Sequence, residues 1–262
     1  MNARLGMKRK TALGVTALIA IGASALPAAA STAPHTGRVG QDYWGVVSRN
    51  QIGSPDVALR RGPFATVGLD STISKPPYGD GSLGIQVADA STSLSPGAEK
   101  AFFGNEVDFV GQNFLDIDQI GFHVFQTAFN IENGGVRNMP NIAIEINPHL
   151  TGYPTDTFAT VVWNPDGVVP NRWSPYLDAT TTGTWRITGD TGDITGCNQT
   201  TECSFSQLKE ALDDGGDKPT VDTVGVSKGR DYLWSGAVDG LRINRTVYDF
   251  EANGVTTRRA GR

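Results

Sequence analysis

Residues 141–147 read Asn-Ile-Ala-Ile-Glu-Ile-Asn, with an isoleucine at every second position. Side chains of an extended chain alternate between two faces, so Ile142, Ile144 and Ile146 share one face and Glu145 lies on the other. This period of two predicts a strand with one face in an apolar core and the other face turned away from it.

Other short segments have the same strand character. Residues 121–125 and 158–163 are rich in aromatic and β-branched side chains, which strands favour. In residues 237–243 the apolar positions alternate less regularly. The chain contains 32 Gly and 14 Pro, which is typical of many turns between short strands. Further predicted strands are residues 44–48, 64–68, 82–88, 100–103, 184–188, 223–227, 232–235 and 246–250.

One segment predicts a helix. Ser204 and Gln207 have the spacing of a capping box, and Phe205, Leu208 and Leu212 then share one helical face. One short surface helix among about a dozen strands predicts an all-β fold, specifically a jelly-roll β-sandwich. The absence of a repeat of 20–50 residues disfavours a solenoid or a propeller.

The N-terminal segment has the composition of a cleavable signal peptide over residues 1–30. Positive charges within residues 4–10 precede an apolar run over residues 12–25, and Ala28 and Ala30 form the small-x-small pattern of a cleavage site. A membrane anchor is the alternative, but a span needs about 20 apolar residues and Pro27 ends this run early. We therefore expect cleavage after Ala30 and a secreted, extracellular protein without a membrane span.

The remaining chain is predicted to form one domain. Residues 31–41 are expected to be a flexible leader, residues 42–252 a single sandwich domain and residues 253–262 a flexible tail. Loss of the four positive charges of the signal peptide changes the net charge from −5 to −9. An acidic surface disfavours nucleic acid as a partner.

The only two cysteines of the sequence, Cys197 and Cys203, are separated by five residues. In an exported protein this spacing favours a loop disulfide. A metal site is the alternative, but it would need further Cys or His ligands at a recognisable spacing.

Four stretches, taken in order, carry a resemblance to a known family. They are Gly62-Pro63 with residues 75–83 (KPPYGDGSL), residues 98–101 (AEKA), the cysteine pair before the predicted helix, and Val238-Asp239 with residues 247–251 (VYDFE). Together they resemble a jelly-roll domain of secreted and cell-surface bacterial proteins. The resemblance spans roughly residues 42–251 and implies a fold and export, but no reaction.

Aromatic residues in the middle of the chain suggest a sugar platform. Trp163, Trp173, Tyr176 and Trp185 lie close together in sequence, and flat aromatic faces stack on sugar rings. Glycan, or another component of the cell envelope, is therefore the expected partner. The alternative is that Trp163 and Trp185 belong to the core while the others cover loops.

No cofactor is expected apart from a structural calcium ion. Acidic oxygens in turns suit this hard cation, and Asp239 and Glu251 are the candidate ligands, by analogy with jelly-roll sugar-binding modules. Ordinary solvated turns are the alternative interpretation.

Two side chains are candidates for catalysis. Glu145 could serve a glycosidase if a second acid lies about 5–10 Å away, but no partner is evident at a telling spacing. His123 could act as a base, as in sandwich-fold polysaccharide lyases. The alternatives are a solvent-facing Glu145 and a structural His123.

These patterns favour a non-catalytic module that binds glycan or another envelope component. A polysaccharide-degrading glycosidase or lyase is the first alternative, and a protein-interaction or structural module is the second.

Overall fold

A computed structural model describes residues 43–66, 68–153 and 158–261 of the chain. The predicted signal peptide, its cleavage site and the leader lie outside these residues. Within them, no helix is both long enough and apolar enough to cross a membrane.

The described residues form fourteen strands and three short helices. The strands are β1 (Trp44–Val46), β2 (Asp56–Arg61), β3 (Gly81–Val87), β4 (Ala101–Asn105), β5 (Ile120–Gln126), β6 (Asn141–Asn147), β7 (Ala159–Asn164), β8 (Arg172–Trp173), β9 (Leu177–Asp178), β10 (Thr184–Ile187), β11 (Thr220–Lys228), β12 (Trp234–Ile243), β13 (Thr246–Glu251) and β14 (Gly254–Arg259). The helices are α1 (Ala128–Gly134), α2 (Gly189–Thr195) and α3 (Phe205–Leu212).

The first sheet has six antiparallel strands in the order β1-β4-β11-β6-β7-β10. β6, the strand with alternating isoleucines, lies inside this sheet between β11 and β7. Ile142, Ile144 and Ile146 are fully buried, as the period of two predicts.

The second sheet has eight strands, with the path β14-β13-β12-β3-β2 and with β5 paired to β12, β8 and β9. Along one edge, β12 pairs first with β3 and then with β13, while β5 occupies its other edge. The pairing with β5 shifts register between Asp239 and Arg242, which is a β-bulge. The irregular alternation of residues 237–243 therefore reflects a real interruption of the strand.

The core lies between the two sheets and is dense in aromatic side chains. Phe122 of β5 meets Trp163 of β7 edge to face, with ring centroids 5.2 Å apart. Trp44 of β1 meets Phe250 of β13 in the same way at 5.9 Å. These contacts join one sheet to the other, and the predicted all-β sandwich is confirmed. The finer jelly-roll assignment stays a prediction.

The prediction of a single helix is wrong in number. α3 is present, with Ser204 as its cap and Gln207 completing the capping box. α1 and α2 were not predicted because seven residues give too little apolar periodicity. The sequence of α2 also contains two glycines, which disfavour a helix. α1 begins two residues after the end of β5, and α2 begins two residues after the end of β10. Helices this short depend on tertiary contacts for their stability.

The prediction of a flexible tail over residues 253–262 is also wrong for most of its length. Gly254–Arg259 pairs with β13 through a two-residue connection, Ala252-Asn253. Val255 is buried and anchors the strand in the core. One apolar side chain in an otherwise basic segment gives no strand pattern, so the sequence did not predict this strand.

The predicted disulfide between Cys197 and Cys203 is confirmed. Cys203 exchanges two backbone hydrogen bonds with Trp185 of β10, and the Cys197 carbonyl accepts from the Ile187 N–H. The disulfide closes the connection between α2 and α3, and these backbone bonds attach it to the edge strand of the six-stranded sheet.

Candidate functional site

The outer face of the six-stranded sheet carries a surface groove. Because the isoleucines of β6 point into the core, Asn141, Ala143 and Glu145 face the opposite side. The groove has a volume of about 300 Å³. It is lined by Asn50, Lys100, Phe102, Asn141, Ala143, Glu145, Phe158, Thr160, Val162, Arg186, Thr188, Ser227 and Gly229.

Glu145 lies at the base of this groove and is held by a clamp of donors. Its side chain is only 2% exposed. The two terminal nitrogens of Arg49 donate to its two carboxylate oxygens at 2.8 and 2.6 Å, and Asn50 Nδ2 donates to Oε1 at 2.6 Å. Arg49 also bonds Glu106 Oε1 at 2.6 Å and Thr223 Oγ1 at 3.0 Å. One guanidinium thus joins β6, β11 and the residue that follows β4.

Arg49 reaches Glu145 because of the local backbone beside β1. β1 is short and pairs only with β4 among the described strands. Ser48–Asn50 then forms a single 3₁₀ turn, and the N–H of Val47 is held by the Phe102 carbonyl at 3.2 Å. The turn therefore lies against the outer face of the sheet, where its arginine and asparagine point at β6.

The clamp keeps Glu145 ionised. Burial alone would raise the pKa of its carboxyl, but hydrogen bonds from Arg49, Asn50 and Thr223 outweigh that effect and hold the pKa below its usual range. The bond with Glu145 in turn raises the pKa of Arg49. A general acid needs a raised pKa, so this carboxylate does not suit proton donation at neutral pH.

Two cations line the groove around this carboxylate. Lys100 is half-buried, and burial lowers the pKa of its ammonium group while the negative charge of Glu145 opposes that change. Arg186 lies across the groove on β10, with Nη1 3.7 Å from a carboxylate oxygen of Glu202.

The remaining lining offers hydrogen-bonding groups and one apolar ring. Asn141 donates to Asn164 Oδ1 at 3.2 Å, and Ser227 Oγ donates to the Ala101 carbonyl at 3.0 Å, which fixes both side chains. Thr160 and Thr188 add hydroxyls. Phe158, the residue before β7, leaves 59% of its surface exposed. Oriented polar groups beside an exposed aromatic ring suit a polyhydroxylated ligand.

A second carboxylate lies near Glu145. Between β11 and β6 the register shifts from Val221 to Thr223, and Val221 and Val224 both point into the core. The bulge places Asp222 beside Thr223 on the outer side. Burial, and then the charge of Glu145, raises the pKa of Asp222, whereas Arg49 opposes the rise.

Two of the predicted aromatic ligand residues belong to the core. Trp163 and Trp185 are fully buried. Their indole N–H groups donate to the carbonyls of Thr182 at 2.8 Å and Ala179 at 2.7 Å. Neither ring can contact a sugar at the surface, so the expected platform of four aromatic residues does not form.

Trp173 and Tyr176 lie together on the outer face of the eight-stranded sheet. Trp173 contacts Phe125 edge to face and lines a surface cavity of about 380 Å³ with Val169 and Pro175. Tyr176 packs on His123, whose Nδ1 is 3.0 Å from the Ser174 carbonyl.

The surroundings of His123 favour its structural interpretation. The ring is flanked by Tyr78 on one side and Tyr176 on the other. Burial lowers the pKa of His123, and burial also raises the pKa of the Tyr176 hydroxyl, which has no hydrogen-bond partner. A buried hydroxyl of this kind is poorly placed to donate a proton to a ligand.

The predicted calcium ligands, Asp239 and Glu251, both accept backbone hydrogen bonds. Asp239 accepts backbone N–H bonds from Tyr78 at 3.2 Å, Gly240 at 2.7 Å and Phe250 at 3.1 Å. Glu251 accepts from the N–H of Asp80 at 3.2 Å. These bonds orient both carboxylates toward backbone N–H groups, and a structural calcium ion stays a prediction. Within the described part of the chain, no group of three or more His, Cys, Asp or Glu residues could hold a metal ion.

The sequence identified Glu145 but neither Arg49, its ion-pair partner, nor the neighbouring carboxylate Asp222. Arg49 is 96 residues away in the chain, and Asp222 reaches the same face only through a bulge, so no local spacing signals either residue. Comparison with protein-family models, curated proteins and solved structures found no match to this chain.

Proposed function

We propose that the chain is a non-catalytic, exported module that binds glycan in the groove of the six-stranded sheet. The observation that carries the proposal is the groove itself, whose lining combines hydroxyl, amide and guanidinium groups with the exposed ring of Phe158. Sugars need both kinds of contact, because their rings present apolar faces and hydroxyl edges.

The state of Glu145 supports a binding role over a catalytic one. Both of its oxygens accept hydrogen bonds from Arg49, and its pKa is lowered. A carboxylate held in this way can still accept a ligand hydroxyl through its remaining lone pairs, but it is a poor proton donor.

The composition of residues 1–30 supports export, and so does the disulfide between Cys197 and Cys203, because disulfides persist in oxidising compartments. Glycans of the cell envelope are ligands that such a protein would meet.

The experiment is a binding assay on a panel of insoluble and soluble polysaccharides, with release of reducing ends measured in the same samples. We expect retention on at least one glycan and no release. Phe158→Ala should weaken retention roughly fivefold, because one stacking ring contributes about 1 kcal/mol to binding. Phe129→Ala is the matched control, because Phe129 is 55% exposed but lies on α1. Equal retention of both variants and wild type would show that the groove is not the site.

A polysaccharide hydrolase is the second candidate, and the proximity of Glu145 and Asp222 is the observation in its favour. The pKa of Glu145 is lowered and that of Asp222 is raised. A pair of carboxyls with different pKa values can divide the roles of base and acid. Release of reducing ends that Asp222→Asn abolishes, with the fold intact by circular dichroism, would favour this candidate.

A protein-interaction role is the third candidate. Its supporting feature is the mainly apolar cavity around Trp173, with Val169 exposed beside it. Absence of retention on every glycan, with partner binding that Trp173→Ala weakens, would favour it.

A further inference from the structure

Two surface cavities border the hairpin that joins β12 to β13. The larger has a volume of about 640 Å³ and the smaller about 370 Å³, and both are lined by Arg242 and Arg245. Arg259, the last residue of β14, also lines the smaller cavity. Neither cavity shares a lining residue with the groove of the six-stranded sheet.

Within the part of the chain that the structure describes, these three arginines form no ion pair with an acidic side chain. Among the described residues, no carboxylate oxygen lies within 4.0 Å of Arg242, Arg245 or Arg259. The neighbouring Arg258, by contrast, is paired with Asp249 at 2.6 Å. Guanidinium groups gathered without a counter-ion repel one another, and an anion between them removes that repulsion.

One carboxylate does border the larger cavity. Asp118 lies on its rim, but its Oδ1 is 3.3 Å from Lys209 Nζ, which offsets its charge. Asp118 does not line the smaller cavity. The smaller cavity is therefore the positive part of the pair.

The backbone that carries the arginines is held firmly. Asn244, at the turn, donates from its N–H to the Gln119 carbonyl at 2.7 Å, and its Oδ1 accepts from the Asp118 N–H at 2.7 Å. Its Nδ2 donates to the Asp116 carbonyl at 3.0 Å. Arg242 is oriented as well, because its Nε donates to the Asn244 carbonyl at 2.8 Å and leaves the terminal nitrogens for other partners. Preorganisation of this kind lowers the entropic cost of binding.

We propose that this end of the sandwich binds a sugar that carries a tetrahedral oxyanion, either phosphate or sulfate. The oxyanion lies in the smaller cavity among Arg242, Arg245 and Arg259, since guanidinium groups bind such anions in bidentate fashion. The sugar ring extends into the larger cavity, where Gln112, Gln119 and Thr246 supply hydrogen-bonding groups. The chain has a net charge of −5, so this positive site contrasts with the protein as a whole.

The test is isothermal titration calorimetry of the purified protein at constant ionic strength with glucose 6-phosphate, glucose 6-sulfate, glucose and sodium chloride. We expect binding of one or both charged sugars and none of glucose or chloride. The preference between phosphate and sulfate identifies which oxyanion the site takes.

The double variant Arg245→Gln/Arg259→Gln should weaken binding by about a hundredfold, because each charge-assisted contact contributes roughly tenfold. Both side chains are exposed, so the fold should survive, which circular dichroism will verify. Arg61→Gln, an exposed arginine on β2, is the matched control and should bind as wild type does. Phe158→Ala should also bind normally, which separates this site from the glycan groove. Absence of binding by both charged sugars, equal binding of glucose, or unchanged affinity in the double variant would overturn the proposal.

Discussion

Arg49 and Glu145 lie 96 residues apart in sequence and form a bidentate ion pair across the outer face of the six-stranded sheet, with nitrogen–oxygen distances of 2.8 and 2.6 Å. The two partners differ in burial. The arginine side chain is 48% exposed, whereas that of the glutamate is 2% exposed. Loss of the arginine therefore leaves a buried charge with only part of its donors.

Arg49→Ala should lower the free energy of unfolding by about 2 kcal/mol, since a buried acceptor left without its donor costs roughly 1–3 kcal/mol. Urea denaturation at pH 7 measures the change. Arg61→Ala, at an exposed arginine of β2, should change stability by less than about 0.5 kcal/mol. Equal effects of the two substitutions would contradict a stabilising role for the clamp.

The clamp also predicts a dependence on acid. Because the pKa of Glu145 is lower in the fold than in the unfolded chain, its contribution is present above the unfolded pKa and is lost as the pH falls through the folded pKa. Arg49→Ala should show a smaller loss of stability on acidification. Parallel pH profiles of wild type and variant would contradict this prediction.

Asp239 predicts a pH dependence of the opposite sign. Burial raises its pKa from 3.8 to about 7. Between these two values the folded protein retains a proton that the unfolded chain has released, so its contribution is greatest below pH 4 and is lost as the pH rises to about 7. The charge of Asp249 also raises the pKa of Asp239, and His123 pairs with Asp239 across the strands; both residues are present in wild type and variant alike.

Asp239→Asn should lower stability by roughly 1–3 kcal/mol, because its amide nitrogen cannot accept the N–H bonds that a carboxylate oxygen accepts. The difference in the free energy of unfolding between wild type and variant should be larger at pH 5 than at pH 8. Urea denaturation at both pH values measures it, and a difference independent of pH would contradict the raised pKa.

Replacing Cys197 and Cys203 together by alanine should lower the free energy of unfolding by about 2 kcal/mol, the entropic estimate for a loop this short. The measurement is thermal or urea unfolding of the variant against wild type. Mass spectrometry before and after reduction provides the control, since reduction of the bridge adds two hydrogen atoms. An unchanged mass would show that the thiols are free.

The different positions of Trp163 and Trp173 predict different losses of stability when each is replaced by alanine. Trp163→Ala should lower stability by about 3–5 kcal/mol, because it removes a fully buried ring from the contact between the sheets. Trp173→Ala should cost less, since that ring is only partly buried on the outer side. Similar midpoints for the two variants would mean that Trp163 does not belong to the core.

The fold was largely predictable from local patterns. Alternation identified β6. The weaker alternation of residues 237–243 coincides with the bulge between Asp239 and Arg242, which was not predicted. β2 was missed because Asp56–Arg61 has no fully buried position and therefore no clear period. β14 was missed because Val255 is its single buried anchor.

The candidate site was predictable only in part. The sequence placed Glu145 on the face opposite the core. It did not predict that Arg49 covers this side chain, because a contact between distant segments leaves no local pattern. The aromatic platform was predicted from proximity in sequence. Trp163 and Trp185 instead pair across β7 and β10 on the inner side, where strand direction decides which face a ring occupies.

The arginines at the borders of the eight-stranded sheet have one more consequence. Arg60 and Arg61 lie on β2, and Arg258 and Arg259 lie on β14, the strands at the two ends of the sheet path. Exposed strand edges invite the growth of sheets from one molecule to the next, which leads to aggregation. Lateral addition of another copy would bring the charges of Arg60, Arg61 and Arg259 close to like charges, so we expect these residues to disfavour fibrous self-association.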